Sequence, residues 1–351
     1  MHKILITGAS GYVGAMLVRE FMARDDVEAI LAIDKEEKSE LYETGPRLTF
    51  IKTNLSDGAA WMEEARKFAP DIVIHTAWQI REMYGKQDTQ WKWNIGGSDN
   101  VFDFAFEGKS VKKLIHFSTV SSYGAFSTNT IEQRFLESDP FRKSDYLYAE
   151  EKRICEKHLE EKYAEAVKRG NAPVVEIVRP AAITGPRGRY MRVRFGLQAA
   201  LAGQLKENIV HRIVSAMVSF VPVTKKWLRQ FIHEDDVVGI ITLLAFTDAK
   251  TPYEVFNICP PGAPVLGKDM AAAVGKKTLP VHPWLIRIVF FFAWNLSRGR
   301  IPTSKGGWKS YSYPIAVDGS KITRMYGYQY KYPSKDAFVQ KVGKYMEFVK
   351  A

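Results

Sequence analysis

The sequence contains few cysteines and no cluster of metal-ligating side chains. Only Cys155 and Cys259 occur among its 351 residues, which is too few for a framework of disulfides. His, Cys, Asp and Glu residues do not recur at the spacings of a metal site, so we expect no bound metal. The first residues enter a strand pattern directly and lack the apolar core of a signal peptide. We therefore expect a cytoplasmic protein.

Long apolar runs are also missing from the sequence, apart from one stretch of 13 residues. The segment WLIRIVFFFAWNL begins at Trp284 and ends at Leu296, and only Arg287 and Asn295 interrupt its apolar character. As a helix it covers about 20 Å, which is short of the ~30 Å of a bilayer core. We expect a buried helix. An interfacial helix that gives a peripheral membrane contact, or a lid over an apolar substrate, remains an alternative.

The overall composition is that of a globular enzyme with a positive charge. Hydrophobic residues make up 46% and charged residues 25% of the chain, which excludes a disordered or fibrous protein. Fifty Lys and Arg residues against 39 Asp and Glu give a net charge of +11. Such an excess suits a nucleotide-bearing substrate, an anionic membrane surface or nucleic acid, and charge alone does not choose among them.

Short β-branched runs alternate with helical patterns through the first half of the chain. We predict strands at residues 4–6, 29–33, 48–51, 71–75, 113–117 and 174–178, with helices at residues 11–22, 94–106 and 148–168. Continuously apolar strands between helices indicate a parallel sheet that is covered on both faces. Right-handed crossovers then give an α/β fold with a doubly wound, Rossmann-type sheet.

This rhythm changes after Arg179. Residues 180–228 are rich in Gly, Pro and Arg, whereas residues 231–246 again predict a helix and residues 254–258 one more strand of the sheet. We therefore expect a Rossmann domain from residues 1–179, to which residues 229–258 return. Residues 180–228 and 259–351 would form a smaller, interleaved C-terminal substrate-binding lobe.

A glycine-rich loop follows the first strand and opens the first helix. Gly8, Gly11 and Gly14 allow a tight turn and a close approach to a pyrophosphate, whose charge the helix N-terminus stabilises. Asp34 lies about 20 residues further on, at the end of the second strand, where a carboxylate binds ribose hydroxyls and repels a 2′-phosphate. NAD is therefore favoured over NADP. NADP is the alternative cofactor, because the cation of Lys35 could accommodate its 2′-phosphate. The alternative role for Asp34 is that of a helix cap or turn residue.

Tyr148 and Lys152 lie four residues apart on the long predicted helix, and therefore on the same face. An ammonium group near a phenol favours the phenolate, as a general base requires. Such a pair is common on solvated helices. Here it follows a hydroxyl-rich segment at residues 118–124, at the carboxyl end of the fifth strand, where ligands bind in such sheets.

Together these segments resemble the extended short-chain dehydrogenase/reductase family, in particular its NAD-dependent epimerase/dehydratase branch with UDP-glucose 4-epimerase-like members. The resemblance covers nearly the whole chain. Residues 7–14 are similar to the TGxxGxxG loop, residues 75–77 to the HxA motif and residues 118–124 to the hydroxyl-rich motif that ends in Tyr-Gly. Residues 179–186 are similar to the RPxxxxGP segment, and residues 229–237 to the R-x-F-V-H-x-D-D-V motif.

The resemblance implies an enzyme that transfers hydride at a secondary alcohol of a nucleotide-sugar, with NAD as cofactor. The implied catalytic residues are Thr119, Tyr148 and Lys152. The implied cofactor-binding residues are Gly8, Gly11, Tyr12, Val13, Gly14, Asp34, Asn54, Leu55, Thr76, Ala77, Trp78, Asn94, Tyr148, Lys152 and Ala181. The implied substrate-binding residues are Thr119, Arg187 and Arg229. The resemblance also implies a homodimer, formed through the helices that begin near Asn94 and Tyr148.

Two departures from the family pattern leave the substrate open. Ala182 stands where an Asn commonly holds the substrate phosphates, and no Arg-Pro-Gly-Asp segment precedes Ser320. An alternative substrate is an apolar, sterol- or isoprenoid-like alcohol or ketone, which Trp78 and the apolar stretch favour. The arginines that would compensate in phosphate binding, or simply face solvent, are Arg187, Arg189, Arg192 and Arg194.

A third possibility is a non-catalytic protein that binds NAD or RNA. The combination of Thr119, Tyr148 and Lys152 argues against it, since a binding module has no need of these three groups. We therefore expect an enzyme with a small-molecule substrate and no nucleic-acid partner.

Overall fold

The computed structural model describes residues 1–188, 220–273 and 275–348. Arg189, Arg192 and Arg194, which we considered for phosphate binding or for a solvated face, lie outside the described residues.

Seven parallel strands form the central sheet, which confirms the predicted fold class. Their order across the sheet is β11-β6-β5-β4-β1-β2-β3. The strands are β1 His2–Thr7, β2 Val27–Asp34, β3 Leu48–Lys52, β4 Ile72–His75, β5 Lys113–Phe117, β6 Val174–Pro180 and β11 Tyr253–Ile258. The predicted return of residues 254–258 to the sheet is thus observed, with β11 paired to β6.

Both faces of this sheet are covered by helices. In β1, Ile4 and Ile6 point into one apolar core, and Leu5 points into a second core on the other face. The strands therefore read as continuous apolar runs, because neither face meets water. The helices of this part are α1 Tyr12–Met22, α2 Met62–Phe68, α3 Gln87–Trp91, α4 Gly97–Glu107, α5 Leu147–Lys168 and α6 Glu234–Phe246. A π-helical turn, Lys92–Gly96, joins α3 to α4.

The prediction of one continuous helix over residues 231–246 was wrong at its start. Phe231–His233 forms strand β10, which pairs in parallel with β7, Ala182–Thr184. Helix α6 begins only at Glu234, where the His233 side chain accepts a hydrogen bond from the Asp235 amide. The partner of β10 lies far away in the sequence, so the local pattern could not reveal the strand.

The remaining described residues form short elements around a third apolar core, which includes Trp227, Phe231 and Phe338. The strands are β8 Phe220–Val223, β9 Leu228–Arg229, β12 Val265–Leu266 and β13 Lys277–Pro280, paired as β13-β8 and β12-β9. The helices are α7 Gly267–Ala273, α8 Pro283–Leu296, α9 Gly307–Ser310, α10 Lys321–Tyr326 and α11 Ser334–Val339.

Helix α8 contains the apolar stretch that we expected to be buried, and this expectation was wrong. Only Ile286, Phe290 and Trp294 are buried, whereas most of the other large apolar side chains of the helix are exposed. The stretch has too few polar residues to show, from the sequence, which face lies outward. Among the described residues, no helix combines the length and apolar character needed to cross a bilayer.

Candidate active site

A cavity of about 600 Å³ opens at the carboxyl ends of the central strands. The predicted catalytic residues Thr119, Tyr148 and Lys152 all line it, as does Arg229. The predicted cofactor-binding residues also line it: Gly8, Gly11, Tyr12, Val13, Gly14, Asp34, Asn54, Leu55, Thr76, Ala77, Trp78, Asn94 and Ala181. The fold thus brings together residues that are separated by up to nearly two thirds of the chain.

The loop between β1 and α1 requires glycine at two positions. Gly8 has a φ of +72°, and a Cβ atom there would lie 2.5 Å from the Ala77 amide nitrogen. A Cβ atom on Gly14 would lie 2.1 Å from the Gly8 carbonyl oxygen. The backbone therefore forms a smooth cradle at the N-terminus of α1, a geometry that fits a pyrophosphate.

Asp34 ends β2 and faces this loop. Its Oδ2 accepts a hydrogen bond from the Ser10 amide, and its Oδ1 accepts one from the Glu36 amide, both at 2.9 Å. Asp34 therefore has the turn-stabilising role that we considered as an alternative. Each carboxylate oxygen has a second lone pair, so this role leaves acceptors for ribose hydroxyls. Lys35 turns to the Glu36 carboxylate and the Trp93 ring.

Lys152 is held in the first turns of α5 by two neighbours. Its Nζ donates to the Phe117 carbonyl oxygen and lies 3.5 Å from the centre of the Trp78 ring. Burial lowers the pKa of Lys152 to about 8, although nearby groups, among them Glu156, act in the opposite direction. The carbonyl and the electron-rich face of the indole stabilise the remaining charge.

Thr119 and Tyr148 both line the cavity. Thr119 precedes a short 3₁₀ turn, and its Oγ1 accepts a hydrogen bond of 3.1 Å from the Ser121 amide. Its hydroxyl hydrogen is thus left to a ligand oxygen. Tyr148 is half-buried on α5, with its ring 5.9 Å from that of Tyr146.

Asn94 is held by a buried network that the sequence did not reveal. Its Oδ1 accepts from the Gln79 amide at 2.8 Å, and its Nδ2 donates to the Gln79 carbonyl at 3.0 Å and to Glu151 Oε2 at 2.7 Å. Gln90 also donates to Glu151, at 3.1 Å. Burial raises the pKa of Glu151. This network joins the π-helical turn to α5 behind the cavity wall.

The two predicted substrate arginines differ in their placement. Arg229 lines the cavity and donates to the Ser310 carbonyl oxygen at 3.0 Å. Arg187 is not part of the lining, and its guanidinium donates to the Tyr12 carbonyl oxygen at 3.0 Å. Its contact is therefore with the cofactor loop, and a role in substrate binding stays a prediction.

Several lining residues were missed by the sequence analysis. Some stand next to predicted site residues in the sequence, and others belong to the C-terminal part of the chain. They are Gln79, Ile80, Trp93, Tyr146, Gln230, Ser310, Tyr313 and Ile315. No local pattern marks the last three, because only long-range packing brings them to the cavity. Within residues 1–188, 220–273 and 275–348, no group of three His, Cys, Asp or Glu side chains has metal-binding geometry.

Comparison with known proteins shows that most of the chain matches the model of one protein family. The model of the NAD-dependent epimerase/dehydratase family matches residues 4–259. An uncharacterized protein of Methanocaldococcus jannaschii is 29% identical over 167 residues, which are 44% of this chain and 49% of that protein. The dTDP-glucose 4,6-dehydratase of Haemophilus influenzae is 29% identical over 161 residues, which are 41% of this chain and 46% of the dehydratase. The chain thus spans about half the length of these curated relatives.

Solved structures agree with the fold over nearly the whole chain. The Bordetella bronchiseptica enzyme WbmG, in complex with NAD and UDP, has a TM-score of 0.68 at 21% identity, with 98% of this chain and 94% of that chain covered. The UDP-glucose 4-epimerase of Thermotoga maritima, with UDP-glucose, has a TM-score of 0.64 at 19% identity, with 96% of both chains covered.

The family match confirms two expectations drawn from the sequence, an enzyme and NAD as its cofactor. The geometry agrees, since the glycine cradle and Asp34 face the cavity that also holds Tyr148 and Lys152. The chain belongs to the NAD-dependent epimerase/dehydratase family.

Proposed function

We propose that the protein acts on a secondary alcohol of a nucleotide-sugar by hydride transfer with NAD, as an epimerase or dehydratase. One observation carries the proposal: a single cavity joins the glycine cradle and Asp34 to Thr119, Tyr148 and Lys152. The solved relatives support the substrate class, since WbmG is described with NAD and UDP and the Thermotoga enzyme with UDP-glucose.

The residues of the cavity suit the two halves of NAD. Gly8 and Gly14 leave room for the pyrophosphate at the N-terminus of α1, and Asp34 is placed to accept from the adenosine ribose. Ala77, Trp78 and Ala181 line the cavity beyond the loop. Lys152 would donate to a ribose hydroxyl of the nicotinamide half.

In the proposed mechanism Tyr148 acts as the general base. Bound NAD would supply the hydride acceptor for the alcohol carbon and, in an epimerase or dehydratase, the hydride that is returned. The Tyr148 phenolate removes the hydroxyl proton, while the Thr119 hydroxyl donates to the same oxygen and holds it in place. The Lys152 ammonium stabilises the phenolate by charge. The same three groups serve epimerases, dehydratases and dehydrogenases. They therefore specify the oxidation of the alcohol carbon, whereas other residues determine which product forms.

Arg229 is the side chain that we propose for the substrate phosphates, since it lines the cavity. We further propose that residues 180–228 and 259–351 form the substrate-binding lobe and that residues 1–179 and 229–258 form the NAD-binding domain. Support comes from the third apolar core, which gathers Val221, Trp227 and Val265 apart from the sheet. A role for Arg187 beside Tyr12 is retained in this proposal.

A second candidate is an NAD-dependent oxidoreductase of an apolar alcohol or ketone. Ala182, which lines the cavity, has no side-chain amide for a phosphate, and Ile80, Ile183 and Ile315 give part of the wall an apolar character. A nucleotide-sugar substrate predicts that free UDP competes with turnover. An apolar substrate predicts no competition by UDP.

The direct experiment incubates the purified protein with a panel of UDP- and dTDP-sugars and follows the products by mass spectrometry and NMR. We expect conversion of at least one sugar. Tyr148→Phe should reduce the rate by about 10²- to 10⁴-fold, the usual contribution of a general base, with NAD affinity unchanged. Turnover that survives in Tyr148→Phe would contradict the assignment of the base.

We also propose a cytoplasmic homodimer in which α4 and α5 of two copies form a four-helix interface. Support comes from the way these helices lie side by side within one chain. His158 and Lys162 of α5 pair with Asp99 and Asp103 of α4, the histidine pair at 3.0 Å. Sedimentation equilibrium tests this, and a monomer at micromolar concentration would contradict it.

A further inference from the structure

Helix α8 is apolar on two opposite faces. Its inner stripe, Ile286, Phe290 and Trp294, repeats every fourth residue and is buried. The Phe290 ring lies 5.1 Å from the Tyr311 ring, and the Trp294 ring lies 5.5 Å from the Tyr84 ring. This stripe accounts for how the helix is attached to the fold.

The opposite side, which we call the outer face, is made mainly of Trp284, Ile288, Phe291, Phe292 and Leu296, with Asn295 as its polar residue. The five apolar side chains are exposed by 56%, 42%, 62%, 54% and 82%. At 100° per residue they fall on one side of the helix, directly across from the inner stripe. Single exposed apolar residues are ordinary, whereas a contiguous apolar face marks an interaction surface.

The segment of the sequence that contains α8 carries charge of one sign. From residue 270 to residue 317 the sequence has seven Lys and Arg residues and no Asp or Glu. Exposed cations among them flank the helix: Lys277 precedes it in β13, and Arg298 and Arg300 follow its end directly. A protein partner does not require this uniform charge. An anionic lipid surface attracts such a segment, since each cation near it contributes about 1 kcal/mol.

The inner stripe also connects the helix to the cavity. Tyr311, which packs on Phe290, follows Ser310, a residue of the cavity lining. Tyr84, which packs on Trp294, follows a segment whose exposed Ile80 also lines the cavity. A surface bound to the outer face would therefore lie close to elements of the cavity wall.

We propose that the outer face of α8 docks on an anionic membrane surface. Its aromatic and aliphatic side chains insert at the boundary between headgroups and acyl chains, and Lys277, Arg298 and Arg300 contact lipid phosphates. The 14 residues of α8 cover about 21 Å, less than the ~30 Å of a bilayer core, so the helix lies in the interface and does not span it. This attachment is independent of the hydride chemistry proposed above.

The test is co-sedimentation of the full chain with vesicles of phosphatidylcholine mixed with phosphatidylglycerol, beside vesicles of phosphatidylcholine alone. We expect binding to the anionic vesicles, weakened by salt because salt screens exposed charges. The double variant Phe291→Ser/Phe292→Ser should lose this binding. Val339→Ser/Val342→Ser is the matched control, because both valines are 50% exposed and lie outside α8.

A charge variant gives an independent measurement. Arg298→Gln/Arg300→Gln should weaken binding by about fivefold for each charge removed, the equivalent of about 1 kcal/mol per cation. Circular dichroism and NAD content should match the wild type in every variant, since all of the altered side chains are exposed.

Three results would overturn the proposal. The first is no sedimentation of the wild type with anionic vesicles, and the second is equal binding by Phe291→Ser/Phe292→Ser. The third is concentration-dependent self-association that the same double variant abolishes, without vesicle binding. That result would assign the outer face to a second copy of the chain.

Discussion

Lys152 carries its charge in an almost fully buried position, between the Trp78 ring and the Phe117 carbonyl oxygen. Burial lowers its pKa to about 8, from an ordinary value of 10.5. Below about pH 10.5 the unfolded chain binds this proton more tightly than the folded chain does. The lowered pKa of Lys152 therefore reduces the stability of the folded chain in this range. The proposed catalytic role thus conflicts with stability at this residue.

Replacing this lysine by methionine separates the two effects. Lys152→Met removes a buried charge whose pKa shift corresponds to at most about 3 kcal/mol, partly offset by the loss of the bond to the Phe117 carbonyl. We expect a melting temperature a few degrees higher below pH 8, together with loss of turnover. The gain should vanish near pH 10.5, where lysine becomes neutral in the unfolded chain as well. Thermal unfolding across this pH range measures it, and a lower melting temperature at pH 7 would contradict the argument.

At the scale of elements, β6 is joined to α5 by a buried ion pair. Arg179 Nη2 lies 2.6 Å from Glu156 Oε2, both side chains are less than a tenth exposed, and Arg179 also donates to the Tyr123 hydroxyl at 2.8 Å. This pair keeps the N-terminal part of α5, with Tyr148 and Lys152, in register with the sheet.

Breaking this pair from one side should be costly. Glu156→Gln leaves the Arg179 charge without its partner, so we expect a loss of about 3 to 5 kcal/mol in the free energy of unfolding, measured with urea. Glu161→Gln is the matched control on the same helix, since its pair with Lys157 is solvent-exposed and should contribute less than about 1 kcal/mol. Equal losses in the free energy of unfolding of the two variants would show that the buried pair stabilises the fold no more than the exposed pair does.

The elements that were predicted from the sequence are those that carry a local pattern, such as a continuous apolar run or a glycine-rich turn after a strand. Gly8, Gly14 and Asp34 sit at fixed positions relative to strands, so the β-α-β spacing alone places them at one cavity. Other features depend on contacts between residues that are far apart in the sequence. These are the pairing of β10 with β7, the exposed face of α8 and the position of Ser310 and Tyr313 at the cavity. The network around Asn94 and Glu151 was missed for the same reason, because Glu151 reads as a solvated residue of a charged helix.

At the scale of the whole molecule, two buried histidines make folding sensitive to acid. His75 is bound by Thr7 and Ser98 and stacks on His116 with 5.3 Å between ring centres. Burial lowers the pKa of His75 to about 3 and holds the pKa of His116 well below its usual value of 6.5. Below pH 6.5 the unfolded chain therefore binds protons that the folded chain excludes.

The contribution of these histidines to stability should fall as the pH decreases through their unfolded-state pKa of about 6.5. Each histidine should contribute a loss of about 1.4 kcal/mol between about pH 7.5 and 5.5. His75→Gln should reduce this pH-dependent loss by about 1.4 kcal/mol, the contribution of one histidine, whatever its effect on stability at neutral pH. Urea unfolding at the two pH values measures the difference, and an unchanged pH dependence in the variant would argue against a neutral, buried His75.

The most direct test of the account is whether the cavity holds NAD on its glycine cradle. Mass spectrometry of ligands released from the denatured protein, followed by calorimetric titration of nucleotide-free protein, should show NAD(H) bound in preference to NADP(H). Gly14→Ala should weaken NAD binding by more than about tenfold, since its Cβ would lie 2.1 Å from the Gly8 carbonyl oxygen. Gly45→Ala, where a Cβ meets no atom within 4 Å, should bind as the wild type does. Failure to bind either dinucleotide, or unchanged binding by Gly14→Ala, would contradict the account.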